Sequence, residues 1–519
     1  MAKKAILVII VIAVLLAAIL WGQDKTKPMT LEECLVRAME KNLGLQVQVL
    51  QPELADLEIS AAGEKFLPRL SFNYNAANNR APSYSWLNSS DIELNKSHDC
   101  TLGVVQNVPM GGTVQASLYS AMTETNDRLQ TINPYFNSRL VFSFSQPLLK
   151  NFGWAVSRKE ILVAQNSRDI AGNSYKMALL ETVYNVEEAY WNLVFSIENY
   201  KVMQKSLRLA KDLLERNKKE VEIGMMAPIE VLSAESEVAT READILQAEV
   251  QIRNREDTLR TLLNLSRKDG GENLPIVPTD APAAERRDIS IESALALAMA
   301  ARPELQAAKL DLKNKDIELM YSRNQLLPDL SLQAFYWSPS LSGTQILFQD
   351  GNPLSGVVIG TIPGGSRQAL NDAFKFKYRN WSVALRLTMP LNFVFSRAMA
   401  AQAKIDLGKS RLMLEDKEQQ IFLEVRNSVR EVENNAKRVD AYGAARRLAE
   451  KKLEAEERKV KVGLSTNYTL LQMQRDFANA QSQELKARID YVLSLAKLDR
   501  ASGTSLEKHN IKLGVNQSP

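Results

Sequence analysis

"KFLPRLSFNY" at residues 65–74 and "QLLPDLSLQA" at 325–334 decide how this chain is read. In each, a leucine–proline pair stands where an apolar pattern of helical period stops and a two-residue alternation begins. Proline has no amide donor and keeps the residue before it out of the helical region, so it suits a point where helix must become strand. After Pro68, Leu70, Phe72 and Tyr74 alternate with Ser71, Asn73 and Asn75; after Pro328, Leu330, Leu332, Ala334 and Tyr336 keep the same beat. Two more prolines close the blocks. Leu140, Phe142 and Phe144, alternating with Ser143 and Ser145, lead to Pro147, and Trp381, Val383, Leu385 and Leu387, opposed by Ser382, Ala384, Arg386 and Thr388, lead to Pro390. Such alternation predicts strands with one apolar and one small polar face, in blocks of about 68–147 and 328–390.

The shared junction belongs to an internal duplication. The stretch from Thr30 aligns without a gap on the stretch from Ser290, matching Glu32/Glu292, Leu35/Leu295, Ala38/Ala298, Leu45/Leu305, Asp56/Asp316, Pro68/Pro328 and Leu70/Leu330. Further on, "EVEIGMMAPIEVLSAESEVA" aligns with "KVKVGLSTNYTLLQMQRDFA", placing Gly224 over Gly463. Each half therefore has the order short helix, longer helix, proline junction, variable middle, very long helix, glycine-centred turn, helix. A Gly-, Pro- and Asp-rich linker, "SRKDGGENLPIVPTDAPAAERRD", separates them. The predicted division is a signal peptide at 1–22, a first repeat at 23–289, a second at 290–503, and a mobile polar tail at 504–519.

No proline interrupts residues 157–223, which leaves room for roughly 100 Å of continuous helix at 1.5 Å per residue. Leu179, Val183, Val186, Tyr190, Leu193, Ile197 and Tyr200 step by fours and threes, and Val231, Val238, Ile245, Ile252 and Leu259 recur at heptad spacing. Val425, Val429, Val432, Ala436 and Val439 do the same in the second half. A sustained seven-residue repeat predicts coiled-coil packing, and Gly224 and Gly463 fit the reversals that fold each long helix back on its partner.

Composition excludes several classes. Basic and acidic residues number 65 and 61 and interleave along the helices, so there is no concentrated basic face for nucleic acid. Cys34 and Cys100 make neither a disulfide framework nor a metal motif. With His98 and His509 alone, a histidine triad or multi-histidine metal site has little to build on, and "PGGSRQ" and "PMGGT" lack the context and lysine of a phosphate-binding loop. The chain reads as a non-enzyme without cofactors. The basic "MAKK", the apolar run that follows and the polar "GQDKTKP" have the layout of a secretory signal, with Gly22 at the expected cleavage edge.

Strands of about nine to eleven residues with aromatic residues near their ends match the span of a tilted transmembrane strand. A sheet with free edges leaves unsatisfied backbone in lipid, and closing a barrel takes about eight strands, so several copies must pool theirs. "TLGVVQNVPMGGTVQASLYSA", residues 101–121, reads as a further hairpin, either in the wall or in an external loop. Ser71, Asn73, Ser143, Ser145, Ser382 and Thr388 form the small polar set expected on a water-filled lumen.

Duplicated halves, helix–proline–strand junctions, "SFSQPLLKNFG" before a long helix and the "VGLSTNYTLL" turn together resemble the TolC-type outer-membrane efflux family, from Thr30 to about Gly503. The resemblance implies an α+β membrane protein of two repeats, each with long coiled-coil helices and a transmembrane β-hairpin. It implies a homotrimer in which each chain gives four strands to a twelve-stranded barrel in the outer-membrane lipid and its helices to a periplasmic tunnel. It further implies an exit duct for efflux or type I secretion, with a periplasmic adaptor (membrane fusion) protein and an inner-membrane transporter as partners. By the same resemblance, Ile223, Gly224, Met225, Met226 and Ala227, with Val462, Gly463, Leu464, Ser465 and Thr466, form the adaptor-docking tip. Glu230 matches the family's acidic gate position; paired with Lys461 or Lys459 it is read either as a contact that holds the tip closed or as a solvated surface pair. Thr469 and Gln472 stand where the second half of the family carries an acidic pair, so an acidic ring is not expected. The competing expectation is an envelope coiled-coil scaffold held by an uncleaved N-terminal membrane helix.

Overall fold

The computed structural model describes residues 27–83, 91–265, 275–282, 286–287 and 289–511. The signal peptide read at 1–22 and the last residues of the tail lie outside them. The first half runs β1 (Lys27–Met29), α1 (Leu31–Lys41), α2 (Leu43–Glu64), β2 (Arg69–Pro82), β3 (Ile92–Asn107), β4 (Thr113–Thr125), β5 (Ile132–Pro147), α3 (Lys159–Glu222) and α4 (Pro228–Leu262). The second runs β6 (Ile276–Pro278), α5 (Ile291–Ala301), α6 (Pro303–Asn324), β7 (Asp329–Phe348), β8 (Val358–Ile362), α7 (Ser366–Phe374), β9 (Asn380–Thr388), α8 (Val394–Lys461) and α9 (Asn467–Ser502).

The described residues fall into two units. The helical unit holds the N-terminal segment up to Pro52, Ala171–Ala308 and everything from Leu414; the sheet unit holds Glu53–Ile170 and Lys309–Met413. In the helical unit, α1 starts on a capping box in which Thr30 accepts from the Glu33 amide at 3.2 Å while the Glu33 carboxylate accepts from the Thr30 amide at 3.0 Å. The duplication is visible in the cores. Ala38 packs with Val183, Val186, Leu193 and Leu259 in one cluster, and its counterpart Ala298 packs with Val425, Val429, Val432 and Leu498 in another. Heptad residues Val238 and Leu259 are buried, and β1 and β6 pair in parallel beside the first cluster.

The tail departs from expectation over its described part. Ser505–Lys508 forms a helical turn with Ser505 buried, Lys508 Nζ lies 2.6 Å from Asp499 Oδ2, and His509 Nε2 lies 2.9 Å from Glu187 Oε1. These polar contacts, with Leu506 and Ile511 against the first core cluster, dock residues 505–511 on the helices.

The sheet unit carries an antiparallel sheet in the order β2–β3–β4–β5–β7, with β9 on the other side of the first half of β7 and β8 on its far end. The proline junctions stand where the sequence puts them: β2 begins one residue after Pro68, β7 one after Pro328, β5 ends at Pro147, and β9 stops short of Pro390. The further hairpin read at 101–121 joins the sheet, so the first repeat supplies four strands: β3 pairs with β2 from Ile92 to Val105, and β4 with β5 from Thr113 to Thr123. The strands are also longer than expected, 14 residues in β2, 16 in β5 and 20 in β7, because the pairing continues past the alternating stretches. α7 packs against β5 and β7 where Ser138, Ser338, Ser340 and Ser342 are all buried, so small side chains let the helix approach the sheet closely. Phe376, just past α7, stacks on Phe142 and Tyr336 at ring distances of 6.2 and 5.2 Å.

Candidate functional site

In the helical unit the two glycine turns are built alike. Gly224 and Gly463 take φ of +75° and +74°, the left-handed region in which a side chain is strained. In both, the glycine amide and the next amide donate back into the last helical turn: Gly224 to Val221 O at 2.9 Å and Met225 to Glu220 O at 2.9 Å, Gly463 to Val460 O at 3.1 Å and Leu464 to Lys459 O at 2.9 Å. This is the Schellman closure of a helix C-terminus. A Cβ would meet nothing within 4 Å at either glycine, so backbone conformation rather than space requires them.

The turns differ where the next helix starts. α9 is capped by Thr466, whose hydroxyl accepts from the Thr469 amide at 3.3 Å; α4 begins at Pro228 behind Ala227, which has no side-chain cap. Around both, large apolar side chains face outward: Ile223, Met225, Ile229 and Leu232 on one, Val462, Leu464 and Tyr468 on the other, with Met225 and Leu464 each 78% exposed. The expected docking residues are thus brought together as two apolar turn surfaces. The expected gate partners are not paired within the chain. Lys459 lies 3.2 Å from Glu456 on its own helix, Ser465 bonds to the same carboxylate, and Thr469 is spent on the cap; Lys461 and Gln472 are exposed. Glu230 Oε2 is buried and has no hydrogen-bond partner among the described residues.

Below the turns lie polar links that no local signal announces. Asn467 Nδ2 donates to Asn217 Oδ1 at 2.9 Å, and Asn217 Nδ2 reaches Glu230 O at 3.4 Å, tying α9, α3 and α4 together in a buried position. Further down, Glu237 accepts from Arg241 at 2.9 Å and forms a two-pronged pair with Arg475. Arg241, itself buried, also donates to Ser206 O at 2.7 Å and Leu471 O at 3.3 Å. Burial raises the Glu237 carboxyl pKa, but the hydrogen bonds and charges of the two guanidinium groups outweigh it and hold the group below the usual carboxylate range.

In the sheet unit the register sorts side chains onto two faces. On one, Leu70, Val104, Ala116, Phe142, Tyr336 and Trp381 stand opposite one another in turn across six strands, and Val114, Phe144, Ala334 and Val383 form a neighbouring row. On the other, Asn73, Thr101, Tyr119 and Arg139 form one row and Ser145, Gln333 and Ala384 another, with Phe335 and Trp337 as apolar interruptions. Ser71, Asn73, Ser143, Ser145, Ser382 and Thr388 all lie on this second face, as their alternation predicts. Among the described residues no helix is long and apolar enough to cross a membrane, and no group of three or more His, Cys, Asp or Glu side chains is placed to hold a metal ion.

Long helices closed by paired glycine turns and a sheet with one apolar and one polar face narrow the class, and comparison with known proteins makes it definite. The family model described as "Outer membrane efflux protein" matches residues 133–265 and 294–504, well over half of the chain, and the chain belongs to that family. It is 23% identical over 406 residues to the alkaline protease secretion protein AprF of Pseudomonas aeruginosa, covering 76% of each chain. It is 23% identical over 369 residues to the outer membrane protein TolC of Vibrio cholerae, covering 70% of this chain and 76% of that one. Among solved structures, the CmeC outer membrane channel of Campylobacter jejuni superposes with a TM-score of 0.66 at 15% identity, covering 92% of this chain and 86% of that one. The open-state MtrE outer membrane channel of Neisseria gonorrhoeae gives 0.62 at 20% identity, covering 92% and 89%. The protein is accordingly an outer-membrane protein of TolC-like type that extends into the periplasm, and an envelope scaffold is not favoured.

Proposed function

We propose that the protein is the exit duct of a tripartite efflux or type I secretion system. Three copies pool their strands into a closed barrel in the outer membrane, and their long helices line a periplasmic tunnel. The observation that carries this reading is the two-faced sheet. Its apolar rows suit lipid, its polar rows suit a water-filled lumen, and its outermost strands leave backbone groups that only another strand satisfies in a bilayer. Membership of the efflux family and the likeness to AprF, a secretion protein, support the same reading. The duct is passive: cargo moves by diffusion once the tip opens, and energy comes from an inner-membrane transporter.

The two apolar turn surfaces are the docking site for a periplasmic adaptor. Met225, Leu464 and their exposed neighbours offer knobs that an amphipathic helical hairpin covers. Glu230, at the first residues of α4, is the gate candidate, with Lys461 of a neighbouring copy as a partner to be tested. The test is reconstitution of the full chain in a planar bilayer together with an export assay in cells. Trimers that conduct ions, with export lost in Leu464→Asp while the trimer persists, are expected; a protein that conducts nothing, or export untouched by Leu464→Asp and Met225→Asp together, overturns the reading. Glu230→Lys raises single-channel conductance if that side chain holds the tip closed, and unchanged conductance removes it from the gate.

A further inference from the structure

We infer that each chain contributes six strands to the wall, so that the barrel has eighteen strands rather than the twelve implied by the family resemblance; this rests on the trimer proposed above. Three independent features place the β3–β4 hairpin in the wall. The first is pairing: β3 is in register with β2 over 14 consecutive residue pairs from Ile92 to Val105 and with β4 from Asn95 to Asn107, and β4 with β5 from Thr113 to Thr123. β2 and β5 therefore do not meet. A hairpin folded away from the wall would have to break both ladders.

The second feature is the face pattern. Leu102 and Val104 of β3, and Val114, Ala116 and Leu118 of β4, fall in the same apolar rows as Leu70 and Phe72 of β2 and Phe142 and Phe144 of β5. Thr101, Gly103, Ser117 and Tyr119 fall on the polar face. An external hairpin has no reason to keep lipid-side and lumen-side residues in step with four other strands. The third is the turn between the two strands, which is anchored at the helix–strand junctions. Asn107 Nδ2 donates to Lys65 O at 2.8 Å, Gln106 Nε2 to Phe66 O at 3.3 Å, and Met110 O accepts from the Gly153 amide at 3.3 Å and from Gln146 Nε2 at 3.1 Å. Gly111 fits here because a Cβ would lie 2.1 Å from Asn151 O. The hairpin thus starts at the rim marked by Pro68 and Pro147 and runs the same height as its neighbours.

Six is also a number that closes. The strands alternate in direction from β2 to β9, so β9 of one copy meets β2 of the next antiparallel, and among the described residues these two strands have one sheet neighbour each. The edge side chains carry the excess exposure: Phe72 and Leu385 are each 65% exposed, against 42% for Leu102 on an inner strand of the same face. Three copies of six strands make eighteen, the size at which barrels hold an open aqueous channel. With strands about 4.8 Å apart and tilted about 40°, the backbone diameter is about 36 Å, against about 24 Å for twelve strands, and the cross-section is about twice as large.

The deciding experiment is electron cryo-microscopy of the full-length protein in lipid nanodiscs, with particle mass measured on the same sample. Three copies with eighteen strands, and Leu102 and Leu118 directed at lipid, are expected. Three copies with twelve strands, β2 pairing directly with β5 and residues 92–125 outside the wall, overturn the inference while leaving the duct intact. A copy number other than three refutes the trimer on which the total of eighteen rests, and the strands per chain counted in that map, six or four, then decide the hairpin's place on their own.

Discussion

Replacing Glu237 with glutamine keeps its shape and removes its charge from between two arginines. Arg241 is buried and Glu237 is its only carboxylate partner within the described ion pairs; Arg475 reaches it from α9. Breaking one side of a buried pair costs about 3–5 kcal/mol. Arg241 keeps the Ser206 and Leu471 carbonyls and Arg475 is more than half exposed, which sets the loss at the lower end, about 3 kcal/mol, or roughly 150-fold in local opening. Amide hydrogen exchange of the assembled protein reads this directly: α4 around 231–245 and α9 around 468–480 exchange faster, while the first core cluster around Val183–Val194 does not change. The double variant Glu237→Gln with Arg241→Met recovers most of the protection, because the stranded charge leaves with its partner. The pH dependence has a fixed sign. Glu237 is depressed in the folded state, so its contribution is present above the unfolded carboxylate value near 4.5 and is lost as pH falls through the lower folded value. Exchange in α4 unchanged within about threefold in the single variant, with the fold intact, would refute the reasoning that this pair is buried and coupled.

Other outcomes follow from the same contacts. Gly463→Ala and Gly224→Ala each cost about 1 kcal/mol from the left-handed φ alone, with no clash, so exchange speeds up in the last turns of α8 and α3 while the assembled protein persists. Gly111→Ala forces the turn at 108–112 off Asn151, and limited proteolysis is expected to cut there first; a turn that stays resistant contradicts the anchoring. Leu385→Arg, on the apolar face of β9, lowers assembled protein in the membrane by an amount matching about 2–4 kcal/mol, whereas Ala384→Arg, one residue earlier and on the polar face, leaves the yield near that of the native chain. Asn217→Ala removes the link to Asn467 and loosens both turns together by about 1–3 kcal/mol, seen as faster exchange on both sides of Gly224 and Gly463.

The parts of the fold carried by local period were legible. Pro68 and Pro328 mark strand starts to within a residue, and the heptads of α4 and the fours and threes of α3 place Val183, Val186, Leu193, Val238 and Leu259 inside. The β3 strand was only half legible. Its stretch Lys96–Asp99 is polar on both faces, and what holds it extended is pairing with strands on either side, which alternation in one segment does not report. The Asn217–Asn467 link joins residues 250 apart and has no sequence signal at all. Glu237 and Arg241 stand four apart on one helix, a spacing shared with the solvated pair Glu215–Lys219; only the approach of α9, bringing Leu471 and Arg475, turns it into a buried network.

The open edges of the sheet bear on how the protein gets into a membrane. About every second residue of β9, and likewise of β2, directs its amide and carbonyl away from the sheet, so one copy alone would carry on the order of ten or more kcal/mol of unmet hydrogen bonding into hydrocarbon along each edge. In the proposed multi-copy barrel that cost vanishes only when the last seam shuts, so insertion and assembly would be a single cooperative event, and a lone subunit would wait in the aqueous compartment, dependent on whatever shields its edges there, until its partners arrive.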